Sequence, residues 1–126
     1  MKPLKQVAVD SHCRAFQAAI DVLGRPWNAL LLNVLQAGPL RFGELAERAS
    51  GPGDKVLSAR LKDLEARGLV LRSVDPGPPV RVSYQLTEAG RAFGQVAGAI
   101  EGWGRTLVAR RPAGEAKVHK LLRSSP

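Results

Sequence analysis

The 126-residue sequence has few of the residues that form disulfides, metal sites or catalytic centres. It contains one cysteine, Cys13, and two histidines, His12 and His119. A single cysteine excludes an intrachain disulfide framework and is typical of a reducing compartment. The two histidines are too far apart in sequence to suggest a metal site, so we expect neither a metal nor a cofactor. The fold must therefore depend on the hydrophobic residues, which make up 44% of the chain.

Long apolar segments are also absent. No run approaches the ~20 residues that cross a bilayer, and residues 1–11 lack the apolar stretch of a signal peptide. We therefore predict a cytoplasmic protein with one domain over residues 1–110 and a basic tail over residues 111–126. An enzyme is not expected, because no phosphate-binding glycine loop follows a strand and Cys13 and His12 diverge by about 100° on a helix.

Positive charge is what the chain has in excess. It has 19 Lys and Arg against 11 Asp and Glu, for a formal charge of +8. A basic surface is typical of proteins that bind nucleic acid. Five of the eight net charges come from residues 105–126, however, and a basic tail is often only solubilising. The evidence for DNA binding therefore depends on where the other basic residues lie.

Helical and strand periodicities follow one another in a defined order. Capping and turn residues predict helices at Ser11–Gly24, Pro26–Gly38, Phe42–Ala49 and Lys55–Arg67, and a long last helix after Thr87. Extended segments are predicted at Leu40–Arg41, Leu69–Val74 and Val80–Leu86, the last two joined by the proline-rich turn at 75–79. A short helix, a glycine-bearing turn, a longer helix and a hairpin make a winged helix-turn-helix. We therefore predict a mainly α fold with a small β-hairpin wing.

The fourth helix has the features of a DNA recognition helix. Leucines form its buried side, and the opposite side combines cations with small residues. Small residues let a helix enter the major groove, where Ala59 can meet a thymine methyl, and cations can donate to phosphates or guanines. With the wing and the start of the third helix, the predicted DNA contacts are Arg41, Lys55, Ser58, Ala59, Arg60, Lys62, Arg72 and Arg81. The alternative is an ordinary solvated helix face, offset by Asp54, Asp63 and Glu65.

From Cys13 to about Trp103 the chain resembles the HxlR-type winged helix-turn-helix regulators of prokaryotes. The shared landmarks, in order, are Cys13, Leu23–Trp27, Gly38–Leu45, Lys55–Glu65, Gly68–Val70 and Pro79–Gly90. The resemblance implies a homodimeric regulator, expected to be a repressor, that acts at the prokaryotic nucleoid on a near-palindromic operator in double-stranded DNA. It also implies that the first and last helices form the dimer interface. The interface residues expected on this basis are Phe16, Ile20, Phe93, Val96, Gly98, Ile100 and Trp103.

The sequence departs from the family pattern in three places. Pro52-Gly53 replaces a common Ile-Ser ahead of the recognition helix, so we expect the helix cap to move to Asp54. Ser83 stands where an acidic residue is common before the wing tyrosine, and Pro26 where a cation usually precedes the tryptophan. None of these changes removes a cation from the predicted DNA-binding face.

Cys13 is a candidate redox-sensing residue. It falls in the first turn of the first helix, where the helix N-terminus and the neighbours His12 and Arg14 favour the thiolate. Several regulators that resemble this chain use a cysteine here to sense oxidants or electrophiles. With no second cysteine, the chemistry would be alkylation, a mixed disulfide or a bridge to Cys13 of a second subunit. The alternative is a small apolar residue at the edge of the dimer core.

Glycines recur every four residues along the last helix, at Gly90, Gly94, Gly98 and Gly102. They indicate either close packing against another helix across the dimer or a marginal, kinked helix. Two other functions also remain open. One is a regulator of the same fold that senses a small-molecule inducer between the first and last helices, and the other is a winged-helix module that binds an acidic protein.

Overall fold

A computed structural model describes residues 11–110 of the chain, so the predicted basic tail at 111–126 lies outside the described residues. Its elements are α1 (Ser11–Leu23), α2 (Asn28–Val34), β1 (Leu40–Arg41), α3 (Phe42–Ala49), α4 (Asp54–Ala66), β2 (Val70–Asp75), β3 (Arg81–Leu86), α5 (Glu88–Arg91) and α6 (Phe93–Arg110). A short 3₁₀ turn, Leu35–Ala37, extends α2. The strands form one antiparallel sheet in the order β1-β3-β2. This arrangement confirms the predicted winged helix-turn-helix.

The hydrophobic core lies between α2, α3, α4 and the base of the sheet. Leucines recur at helical spacing on one side of each helix, and these sides face one another. On α4, Leu57, Leu61 and Leu64 are at most 1% exposed, as predicted. The other buried apolar residues are Leu31, Leu32, Leu35, Leu40, Leu45, Ala49, Val70 and Leu86. Because α4 buries this whole side, its opposite side must face outward.

The C-terminus of α4 ends as the sequence predicts. Gly68 has φ +77°, a left-handed conformation that glycine adopts without strain. The amide of Leu69 donates to the Leu64 carbonyl and the amide of Gly68 to the Glu65 carbonyl, both at 3.0 Å. This pair of bonds is the Schellman motif, which ends the helix and starts β2 directly afterwards.

Two predicted helix starts were wrong by one or two residues. The second helix begins at Asn28 and not at Pro26, because Trp27 has φ +71° and so lies outside the helix. The cap of α4 is Gly53 and not Asp54. Asp54 is instead the first helical residue, where its carboxylate faces the positive end of the helix dipole.

The predicted single last helix is divided at Ala92 into α5 and α6. Thr87 caps α5 as expected, since its hydroxyl accepts a hydrogen bond from the Gly90 amide at 3.2 Å. The Gln36 side-chain amide donates to the Gly90 carbonyl, also at 3.2 Å, and so competes for an acceptor of the helix. The break therefore has a specific cause in a side chain from the end of α2.

Along residues 11–110, none of the helices combines the length and the apolar character needed to cross a membrane.

Candidate nucleic-acid interface

The outward side of α4 is formed by the residues that the sequence predicted. Lys55, Ala59 and Lys62 are exposed and follow one another at a spacing of four and three residues, so they share one face. Ser58 and Arg60 lie at the two flanks of this face and are half-buried. The structure thus brings the five predicted α4 residues together on a cationic surface with a small side chain at its centre.

The wing cations do not share one face. Across β1 and β3, Arg41 opposes Ser83, and across β2 and β3, Arg72 opposes Tyr84. Opposed residues lie on the same face of a sheet, and successive residues alternate between faces. Arg41 therefore lies on the same face as Arg81, whereas Arg72 lies on the opposite face. The sequence placed both wing cations near the hairpin but did not reveal this separation.

The tip of the wing projects from the body of the protein. All residues from 71 to 80 are exposed. The carboxylate of Asp75 accepts a hydrogen bond from the Gly77 amide at 3.1 Å, which holds the turn. At the base, the Thr87 hydroxyl donates to the Gly68 carbonyl at 2.7 Å and so joins β3 to the end of α4. The recognition helix and the wing are therefore braced against each other.

One contact fixes the start of α3, and a second fixes the turn between α3 and α4. The backbone amide of Arg41 donates to the Glu44 carboxylate at 2.8 Å, which fixes the start of α3 and leaves the Arg41 side chain exposed. The indole of Trp27 lies directly on Gly51, since a Cβ at Gly51 would stand 2.2 Å from the ring carbon Cη2. Only glycine fits beneath the indole, and this contact sets the turn ahead of α4.

A polar network that the sequence analysis missed connects α4 to α1 and α2. Asn28 is fully buried, and its side-chain amide donates to the Val22 carbonyl at 3.0 Å and to the Asp63 carboxylate at 3.2 Å. The Arg67 guanidinium bonds the same carboxylate at 3.0 Å and Asp21 of α1 at 2.9 Å. The network joins three helices through one carboxylate and one guanidinium, so α4 is held in a defined position relative to α1.

The network also explains the shifted pKa values of its charged members. Burial raises the pKa of Asp63, but the hydrogen bonds from Asn28 and Arg67 and the positive charge of Arg67 outweigh burial and hold this pKa below its usual value. The hydrogen bonds to Asp21 and Asp63 raise the pKa of Arg67. Asp63 and Arg67 are therefore both charged at neutral pH. One sequence signal could have revealed the Asp63–Arg67 pair, namely its four-residue spacing, but not its connection to α1 and α2.

An exposed apolar surface lies on the two helices that the resemblance assigned to pairing. Within the described chain, neither α1 nor α6 has a fully buried residue. Six of their large apolar side chains are 40–66% exposed, namely Phe16, Ile20, Val96, Ile100, Trp103 and Leu107. Phe93 differs, because it packs partly against the core of its own chain. We call the residues Val96, Ile100, Trp103 and Leu107 the α6 apolar stripe, since their spacing places them on one face.

The glycines of the last helix do not belong to that stripe. Gly98 lies about 160° around the helix from Ile100, at 100° per residue. Gly90 has its own explanation, because a Cβ there would stand 2.2 Å from the Leu69 carbonyl oxygen. Apart from its chain neighbours and the backbone of its own helix, no described atom lies within 4 Å of the position of a Cβ at Gly98. The predicted interface residues Gly98 and Ile100 thus occupy different faces of α6.

An apolar crevice lies between α1 and the α5–α6 junction. Its volume is about 240 Å³. Its lining comes from α1, α2, the residue before β2, and the last two helices with the residue between them, namely Ala19, Val22, Leu23, Leu32, Leu69, Ala89, Gly90, Ala92, Phe93 and Val96. Almost all of these side chains are hydrocarbon, so the crevice suits an apolar group rather than an ion.

Comparison with known proteins agrees with this geometry. The HxlR-like helix-turn-helix family model matches residues 22–112. The HTH-type transcriptional regulator YodB of Bacillus subtilis (strain 168) is 41% identical over 94 residues, which cover 75% of this chain and 84% of YodB. The HTH-type regulator YvaP of the same organism, described as uncharacterised, is 41% identical over 91 residues, covering 72% of this chain and 84% of YvaP.

Solved structures are similar over the same region. Reduced YodB from B. subtilis superimposes with a TM-score of 0.65 at 41% identity, over 69% of this chain and 85% of that one. The oxidised form of the redox regulator HypR gives a TM-score of 0.67 at 30% identity, over 73% and 95% of the two chains. Diamide-treated and quinone-bound YodB and reduced HypR also match. The relatives are transcriptional regulators and not members of a catalytic family. The chain belongs to the HxlR-like family of helix-turn-helix, DNA-binding transcriptional regulators.

Proposed function

We propose that this protein is a homodimeric repressor that binds a near-palindromic operator in the cytoplasm, with one α4 in each of two successive major grooves. The cationic outer face of α4 supports this most directly, because it lies opposite a leucine face that is at most 1% exposed. Helices with this geometry insert their outer face into the groove, and two-fold symmetry sets the spacing of half-sites at about 34 Å. Occupancy of promoter DNA by such a dimer would block transcription.

The proposed pairing surface is the α6 apolar stripe together with Phe16 and Ile20 of α1. Trp103 and Phe16 are 66% and 65% exposed, which is unusual for large aromatic side chains of a monomeric protein. The Asp21–Arg67 ion pair couples the position of α4 to that of this surface, since it joins α1 to α4. The distance between the two α4 helices in a dimer would therefore depend on how the α1 helices pack.

Selection of genomic duplexes by the purified protein tests this proposal, with Trp103→Glu as the critical variant. We expect the wild type to enrich specific duplexes and to bind each as two protomers, measured by light scattering of the complex. Trp103→Glu buries a charge in the proposed interface and should give a monomer with weakened binding. The control is Gly98→Leu, on the other face of α6, which should remain dimeric. A dimeric Trp103→Glu protein, or failure to enrich any duplex at low salt, would contradict the proposal.

We further propose that modification of Cys13 controls this dimer. Cys13 is half-buried and lies within about 60° of Phe16 and about 20° of Ile20 around α1, so an adduct would fall beside the pairing surface. YodB and HypR have been solved in reduced and oxidised or quinone-bound forms, which supports a response to oxidants or electrophiles in this family. Cys13 is the one cysteine of the sequence.

Treatment with diamide or a quinone should release the operator from the wild type but not from Cys13→Ser. The physical reason is that both reagents react readily with a thiolate, and Cys13 supplies the one thiol of the sequence. Operator affinity before and after treatment, with the adduct mass measured in parallel, checks this. Equal release from both proteins would contradict covalent sensing. Equal release by the quinone would instead favour a second candidate function, which is reversible sensing of an apolar molecule in the crevice between α1 and α6.

A further inference from the structure

The recognition helix exposes one large apolar side chain that its fold does not explain. Val56 is 43% exposed, and within α4 it is the sole large hydrophobic residue on the surface. It is absent from the residues that pack against the core. A β-branched residue is also a weaker helix former than the lysine before it or the alanine at 59. Neither helix stability nor core packing therefore accounts for valine at this position.

The neighbours of Val56 indicate what it contacts. Ala59 lies one turn further along and about 60° around the helix, so the two side chains form a continuous apolar strip. Lys55 and Lys62 are exposed along one edge of this strip, and Arg60 follows Val56 along the other. One turn beyond Ala59 the strip ends at Asp63, whose half-buried carboxylate is already bonded by Asn28 and Arg67. A hydrocarbon strip bordered by cations is complementary to the major groove at a thymine. There the 5-methyl group projects between base edges that are flanked by phosphates.

We infer that Val56 is a specificity residue whose γ-methyl groups contact the 5-methyl group of a thymine in each operator half-site. This inference rests on the proposed DNA binding and adds a base preference to it. The side chain of Val56 extends further from the helix than that of Ala59, which has only a Cβ. Val56 therefore makes the larger apolar contact and Ala59 leaves room for the base beside it.

The test replaces each thymine of the selected operator in turn by deoxyuridine, which lacks only the 5-methyl group. For the wild type we expect one symmetric pair of positions at which the change weakens binding by about fourfold per half-site, the effect of losing one buried methyl group. In Val56→Ala, affinity for the thymine operator should fall by a similar factor and the uracil penalty at that position should disappear. Leu71→Ala is the matched control, because Leu71 is a comparably exposed aliphatic residue on β2. It should retain the full penalty.

The results of this experiment distinguish failure of the proposed function from failure of the inference about Val56. A wild type that binds no duplex would overturn the proposed function itself. A wild type that binds but shows no methyl-sensitive thymine, or a Val56→Ala protein with an undiminished penalty, would overturn this inference and leave the proposed function intact. Thermal unfolding distinguishes loss of contact from loss of fold, since Val56→Ala removes an exposed side chain and should leave Tm unchanged or higher.

Discussion

Replacing Lys55 and Arg60 together by alanine should lower operator affinity by about 10³-fold. The proposed dimer would lose four cations from its proposed DNA-binding face in this variant, and each contact is worth on the order of 1 kcal/mol or more. The salt dependence should weaken as well, because each phosphate that is no longer neutralised lowers the slope of log K against log salt by about 0.9. Titrations of a labelled operator at several salt concentrations measure both quantities.

The matched control for this experiment is the double change of Arg105 and Lys120 to alanine. Arg105 is exposed on α6 opposite the apolar stripe and Lys120 belongs to the basic tail, so the variant loses the same charge outside α4. Arg105 pairs with Glu101 at 3.1 Å on the helix surface, an exposed contact of small energetic value. We expect operator affinity within about threefold of the wild type. Equal losses in the two double variants would mean that α4 contributes only general positive charge.

Substitution of Gly90 by alanine should destabilise the protein by about 3 kcal/mol, at the upper end of the cost of overpacking. The added Cβ would stand 2.2 Å from the Leu69 carbonyl oxygen. That oxygen cannot move freely, because it accepts a hydrogen bond from the Thr87 amide at 3.0 Å. The clash therefore separates α5 from the end of α4 and loosens the base of the wing. Thermal unfolding should show a Tm lower by about 10 °C.

Gly43→Ala is the same chemical change as Gly90→Ala, but we expect it to have the opposite effect on stability. Gly43 lies in α3, and no described atom beyond its chain neighbours and its own helix backbone is within 4 Å of its added Cβ. Alanine is the better helix former, so this variant should be more stable by up to about 1 kcal/mol. Both proteins must be compared at one protomer concentration, since the proposed dimerisation would contribute to apparent stability. A Gly90→Ala protein as stable as Gly43→Ala would contradict the close packing of α5.

Features that depend on neighbouring residues could be predicted from the sequence. The bounds of α3, Phe42–Ala49, agree residue for residue with the prediction, because a proline precedes it and a glycine turn follows. Leu57, Leu61 and Leu64 were assigned to the core from their spacing alone. The glycine after α4 was placed correctly because a left-handed residue is required there. The outward face of α4 followed from these assignments.

Features that depend on contacts between distant segments could not be predicted. Trp27 leaves the helical conformation because its indole packs on Gly51, 24 positions later. The break at Ala92 depends on Gln36, which lies 54 residues from the Gly90 carbonyl that it bonds. Periodicity contains no information on such pairs. Both errors therefore arose where a tertiary contact outweighed a local preference.

Taken alone, the amino-acid order was sufficient to specify the winged helix-turn-helix and the cations of α4, because helical spacing, capping and turn residues act over a few positions. The tertiary structure decided which of these residues work together. Sheet register placed Arg41 and Arg81 on one face of the sheet and Arg72 on the other, and helix packing connected Asp63 and Arg67 to α1. Such relations depend on how separate elements meet in space, and no local pattern in a single sequence encodes them.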